Sequence, residues 1–123
     1  MQHHIGTDII EIERVEEAIE RFGERFLKRV YTPSEMGMYS RAESLAAVFA
    51  AKEAVMKVLG TGSRGVAWRE VEILHHRSGK PYATLLGRAR EEAAKLGITE
   101  IDISMSHSRA YATAMAIGVT AGA

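Results

Sequence analysis

Residues 45–59 carry Leu45, Val48, Phe49, Val55, Met56 and Leu59 at steps of three, four and seven, the period of a helix that buries one side. Lys52 falls in the middle of that stripe. An ammonium group sent into a core without a partner is costly. Any fold this chain adopts must therefore bring an anion to Lys52, a carboxylate of its own or a ligand's phosphate.

The neighbouring segments supply what can pack around such a helix. Residues 5–10 are β-prone and lead into a helical period over 12–26, with Ile12, Val15, Ile19, Phe22 and Phe26 on one face. "TPSE" at 32–35 opens a second helix, with Thr32 as cap, Pro33 in the first turn and Glu35 reaching back in a capping box. Ser44 opens the third helix and Gly60 closes it. "TGSRG" at 61–65 is a loop, and in the stretch that follows Val71 and Ile73 alternate with Glu70 and Glu72 as in a half-exposed strand. "RSGKP" at 77–81 turns that strand into "YATLL". An alanine-rich helix over 87–96 stops at Gly97, "ITEIDISM" alternates as a strand, and a last strand over 111–119 returns across "SHSR". The order implies an α+β domain spanning 1–123, with helices on one face of a mainly antiparallel sheet. The last strand lines Ala112, Ala114, Ala116 and Gly118 on one side, small enough for a helix to pack tightly there or for a flat contact between subunits.

A chain of 123 residues can bury a core without staples, and the absence of cysteine excludes thiol catalysis and disulfides. Sixteen basic and sixteen acidic side chains sum to zero, which argues against a nucleic-acid binder. "MQHHIGTDII" lacks the long apolar core of a signal peptide, and no uncharged apolar run approaches the ~20 residues of a spanning helix. The expectation is a soluble cytoplasmic protein with no membrane partner.

Two carboxylates are candidates for chemistry. Asp8 shares a pleat with Ile10, and by itself reads either as a helix cap or as a carboxylate turned toward the core. Glu53 and Lys57 stand four apart, the spacing of a surface ion pair. Taken together, carboxylates on two elements with lysines near a "GTG" loop match a hard-oxygen site, because Mg2+ takes one or two protein carboxylates and leaves the rest to water and phosphate. His107 sits at a hairpin tip among hydroxyls, either a solvated turn residue or a ligand contact. A hydrolase triad is excluded by the lack of a G-x-S-x-G elbow. His3 with His4, and His75 with His76, are strand neighbours that face apart and cannot clamp one metal ion, so they belong to the surface. Arg14, Arg21, Arg25 and Lys28 follow steps of seven, four and three, a basic strip. It is either a solvated face braced by Glu17 and Glu24 or a docking surface for an acidic partner.

"GTDIIEIERV" at 6–15, "FAAKEAVMKVLGTG" at 49–62 and "SHSRAYATAMAI" at 106–117 stand in the order found in the holo-[acyl-carrier-protein] synthases, and the chain resembles that small stand-alone class of 4'-phosphopantetheinyl transferases over nearly its whole length. "GVAWREVEI" and "GKPYATL" look like the central hairpin of that family, with Ser78 where relatives often carry asparagine. The resemblance implies Mg2+-dependent transfer of 4'-phosphopantetheine from coenzyme A to a serine of an acyl carrier protein, releasing adenosine 3',5'-bisphosphate. It implies Asp8 and Glu53 as metal ligands, and Glu53, Lys57 and His107 as catalytic residues. Coenzyme contacts would come from Lys52, Lys57, Gly60, Gly62, Lys80, Pro81, Ser106 and His107, and carrier docking from the basic strip. The base that takes the serine proton could be Glu53, a water on the ion or a carboxylate of the carrier. A homotrimer with coenzyme between neighbouring subunits is implied as well. The alternative is a non-catalytic module that binds the nucleotide and assembles without transfer.

Overall fold

The computed structural model describes residues 2–60 and 65–121. The elements are β1 (His3–Glu11), α1 (Ile12–Phe22), α2 (Glu24–Val30), α3 (Pro33–Met38), α4 (Ala42–Leu59), β2 (Val71–His75), β3 (Pro81–Leu85), α5 (Gly87–Leu96), β4 (Ile98–His107) and β5 (Tyr111–Thr120), with a 3-10 turn at Trp68–Glu70. The strands form two antiparallel sheets: β1-β5-β4, and the hairpin β2-β3. The sequence implied one sheet, whereas the central hairpin pairs only with itself, and α4 packs against both sheets.

Helix α4 is buried on most of its circumference because it has neighbours on several sides: the three-stranded sheet, α1, β2 and α5. The alanine face of β5 explains how it fits. Asp8 and Met105 both lie opposite Ala114, and Gly6 and Ile103 opposite Ala116, so the middle strand offers only methyl groups to the helix. At Gly118 an added Cβ would lie 2.6 Å from Val58 Cγ1, and at Gly6 it would strike the backbone carbonyl of Ala54. The small face is therefore a seat for α4. The opposite face carries Ile5 at 63%, Ile9 at 66%, Tyr111 at 48% and Met115 at 48% exposure, a row of large apolar groups left open by the described residues.

Local signals hold at Thr32, whose side chain accepts from the Glu35 N–H while Glu35 accepts from the Thr32 N–H. Gly60 and Gly97 end α4 and α5 in the left-handed region, where glycine carries no Cβ penalty. Two boundaries differ from the sequence reading. Helix α4 starts at Ala42, with Ser44 inside its first turn. The continuous helix expected over 12–26 breaks at Gly23, whose φ of 56° and ψ of −132° turn the chain before α2. No helix among the described residues is long and apolar enough to cross a membrane.

The anion that Lys52 requires is Glu35. Lys52 Nζ lies 2.8 Å from Glu35 Oε1, and neither side chain is exposed. It also donates to the carbonyls of Val71 at 2.6 Å and Trp68 at 3.0 Å, so all three ammonium hydrogens have acceptors. Glu35 in turn accepts from the Ile73 N–H at 2.7 Å. Burial lowers the Lys52 pKa and the Glu35 charge opposes that. Lys52 therefore locks α3, α4 and β2 together. It is not a coenzyme contact, because it is fully buried and has no hydrogen left to give.

Candidate active site

Asp8 projects from β1 toward α4, and the helix sets Glu53 and Lys57 one turn apart beside it. Lys57 Nζ donates to the Thr7 carbonyl at 2.7 Å and lies 3.3 Å from Asp8 Oδ1, so the lysine is tied to the strand. The Glu53–Lys57 surface pair that spacing allowed is not among the ion pairs of the described residues; Asp8 has taken the lysine. The Glu53 pKa is raised, first by burial and then by the Asp8 charge, with the Trp68 N–H and Lys57 pulling it back down. The Trp68 indole N–H makes no hydrogen bond at bonding distance, so its hold on Glu53 is weak.

These facts describe two carboxylates from different elements close enough to repel each other, with one lysine shared unequally between them. Ionised together, they are short of positive charge. No third histidine, aspartate or glutamate joins a metal-ligating group with them among the described residues. A divalent ion that prefers hard oxygen and accepts two protein carboxylates fits this donor set, and open coordination positions would be left for a phosphate. Lys57 would then stand beside that phosphate as a second positive charge.

His107 and Ser106 lie elsewhere, at the end of β4. They line a cleft of about 210 Å3 with Tyr39, Ser44 and His75. Lys80 sits at the tip of the central hairpin, 3.9 Å from Asp102, with Pro81 opening β3, and neither lines the His107 cleft or reaches Asp8. Gly60 is at the end of α4 near Lys57, and Gly62 falls outside the described residues. Within one chain, then, the expected residues divide into a carboxylate–lysine group, a histidine group and the Lys80–Pro81 hairpin tip.

The basic strip is divided too. The turn at Gly23 puts Arg14 and Arg21 on α1, and Arg25 and Lys28 on α2. Arg14 lines a cleft with Ile10, Val15 and Phe49, and Arg25 lines a larger one of about 470 Å3 with Phe22, Phe49 and Trp68. Phe26 and Phe49 border both, so the two clefts are contiguous. Arg29, which spacing did not single out, joins the larger cleft and lies over the Trp68 ring at 5.9 Å. Arg21 covers Phe22, and Lys28 pairs with Glu24 at 3.5 Å in the open, one of the two expected braces, whereas Glu17 with Arg21 is not among the ion pairs of the described residues. Of the histidines expected at the surface, His4 on β1 is half-buried, with its Nε2 out of solvent and without a hydrogen bond among the described residues. His76 stacks on Tyr82, whereas His75 is half-buried against Tyr39 and is no surface residue.

Comparison with known proteins adds to this geometry. The family model of the 4'-phosphopantetheinyl transferase superfamily matches residues 4–116. A holo-[acyl-carrier-protein] synthase of Caldanaerobacter subterraneus is 43% identical over 123 aligned positions, covering 97% of this chain and 96% of the relative. Among solved structures, an acyl carrier protein synthase from Plasmodium yoelii with ADP bound superposes with a TM-score of 0.88 at 30% identity, covering 99% of this chain and 100% of that one. A holo-[acyl-carrier-protein] synthase from Helicobacter pylori in complex with coenzyme A gives 0.85 at 31% identity, covering 94% and 99%. With a family match across most of its length, and Asp8, Glu53 and Lys57 gathered at one point of the fold, this chain belongs to the 4'-phosphopantetheinyl transferase superfamily, as a holo-[acyl-carrier-protein] synthase.

Proposed function

We propose that this chain transfers the 4'-phosphopantetheine group of coenzyme A to a serine hydroxyl of an acyl carrier protein, with Mg2+ required and adenosine 3',5'-bisphosphate released. The observation that carries the reading is the pairing of Asp8 and Glu53 across β1 and α4, with Lys57 tied to Asp8. Asp8 and Glu53 would hold the ion, which when bound supplies charge neutralisation on the diphosphate. Lys57 would add positive charge beside the phosphoryl group in transit. Transfer between oxygens needs positioning and electrostatics rather than a covalent protein nucleophile, and the chain offers no cysteine for one.

We infer a homotrimer in which neighbouring copies complete the coenzyme site. Two features support it. The sheet face bearing Ile5, Ile9, Tyr111 and Met115 is left uncovered by the described residues of one chain. The His107 group and the Asp8–Glu53 group line different regions of one copy, an arrangement that a second copy can close. The contiguous clefts bearing Arg14, Arg25 and Arg29 over an aromatic floor suit an acidic carrier with an apolar patch.

Mass spectrometry of an apo acyl carrier protein incubated with this chain, coenzyme A and Mg2+ tests the reading. A phosphopantetheine adduct on serine is expected. Coenzyme A binding with no adduct on any of several carriers would replace this reading with the non-catalytic module.

A further inference from the structure

The cleft of His107 holds a second imidazole that the site described above does not use. His75 lies at the end of β2, outside every stretch that carries the family resemblance, yet it lines the same cleft of about 210 Å3 as Ser44, Ser106 and His107.

Its tautomer is assigned from the hydrogen bonds of Tyr39. The β2 edge gives the Ile73 N–H to Glu35 and the Ile73 carbonyl to the Tyr39 hydroxyl, which donates to it at 3.0 Å. Burial, and then the Glu35 charge, push the Tyr39 pKa far up, so the phenol keeps its proton. The same phenol oxygen lies 2.5 Å from His75 Nδ1. The assignment that satisfies both contacts has the phenol donate to the Ile73 carbonyl and accept from His75, which makes Nδ1 the donor. Neutral His75 is therefore the Nδ1–H form, with a lone pair on Nε2, and no described residue hydrogen-bonds Nε2.

A lone pair at Nε2 repels a phosphate oxygen; one added proton turns it into a charged donor. We propose that His75, together with His107, binds a phosphate group of the coenzyme in this cleft and takes up a proton as it does so. This rests on coenzyme A being the ligand, as read above. Burial holds the free imidazole below the usual histidine range, so at neutral pH the proton arrives with the ligand. The ionisable groups facing His75 are Tyr39 at the end of α3, with Glu35 behind it, and His107 on β4 across the cleft, which Glu43 of α4 approaches from its far side. Glu43 is held low chiefly by its own backbone N–H and by Arg41, and it also feels the His107 charge. Across the hairpin the partner is Pro81, flanked by Lys80 and Tyr82. The carboxylates nearby are already paired, Glu35 with Lys52 and Glu43 with Arg41. An incoming phosphate would thus be the main source of negative charge for His75.

The test follows the His75 imidazole by NMR as pH is varied, without and with saturating coenzyme A, its signal identified by its loss in His75→Gln. The expected result is titration below the usual histidine range in the free protein, and proton affinity raised by about tenfold or more in the complex. Between those two values the Kd for coenzyme A should rise by up to about tenfold per pH unit in the wild type, and His75→Gln should lose that rise. A buried histidine with a purely structural role would titrate identically with and without ligand. That result would overturn the inference while leaving coenzyme binding intact. The wild-type titration stands even if the variant fails to fold. Absence of coenzyme A binding at every pH would overturn this inference and the functional reading together.

Discussion

Lys52 and Glu35 form an ion pair at 2.8 Å with no solvent on either side chain, and the pair joins helices α3 and α4. Removing one member leaves a buried charge with partners it can no longer use, which costs about 3–5 kcal/mol. Lys52→Met and Glu35→Gln are each expected to fall in that range in denaturant unfolding. The double variant should lose less than the sum, because the two side chains act as one unit. The fraction that remains folded should transfer normally, since Lys52 touches no ligand.

Glu53 is the opposite case, a carboxylate whose function costs stability. Its folded-state pKa is raised, chiefly by burial and next by Asp8. The stability linked to that shift is present below the unfolded carboxylate pKa of about 4.3 and is lost as pH rises through the folded value. At pH 7 without metal, ionised Glu53 therefore weakens the fold. Glu53→Gln should raise the Tm of the metal-free protein at pH 7, should show no gain below pH 4, and should abolish transfer. Mg2+ at a hundred times its Kd should stabilise the wild type by about 2.7 kcal/mol and leave the variant nearly unmoved.

Charge reversal separates the carrier from the coenzyme. Arg14→Glu with Arg25→Glu, on the two contiguous clefts, should raise the KM for acyl carrier protein by about tenfold or more at low salt, with coenzyme A affinity kept. Lys28→Glu, already paired with Glu24 in the open, should do far less. Steady-state kinetics at two salt concentrations would read both effects, and a salt-insensitive wild-type KM would count against the docking surface.

Shared sites predict complementation. Asp8→Ala and His107→Ala should each be inactive as pure oligomers, and mixing them after reversible dissociation should restore part of the transfer activity. Ile9→Asp, on the uncovered sheet face, should shift the protein toward a monomer in analytical ultracentrifugation and lose activity with it. Monomeric wild type with full activity would contradict the shared site.

Much of this was legible in the sequence wherever the cause is local. The Thr32–Glu35 box, the glycine ends of α4 and α5 and the alanine face of β5 depend on residues within a few positions of each other. The anomaly of Lys52 was legible too, but its partner was not, because Glu35 lies on another helix and already had a local role as a cap. The break at Gly23 is hidden in the sequence because the apolar period continues across it from Ile12 to Phe26 while the backbone turns. Arg29, Trp68 and the Tyr39–His75 hydrogen bond are products of tertiary packing, and the last joins residues 36 apart. Asp8 and Glu53 could be nominated from composition and resemblance; their mutual repulsion needed the strand and the helix placed side by side.

The most direct measurement is anomalous scattering from crystals of the wild-type protein grown with Mn2+ and coenzyme A. The account predicts a single strong peak bonded to one oxygen each from Asp8 and Glu53, at about 2.0–2.2 Å, and to the coenzyme's diphosphate, beside Lys57. A peak away from this pair, or a diphosphate bound out of reach of it, would contradict the account.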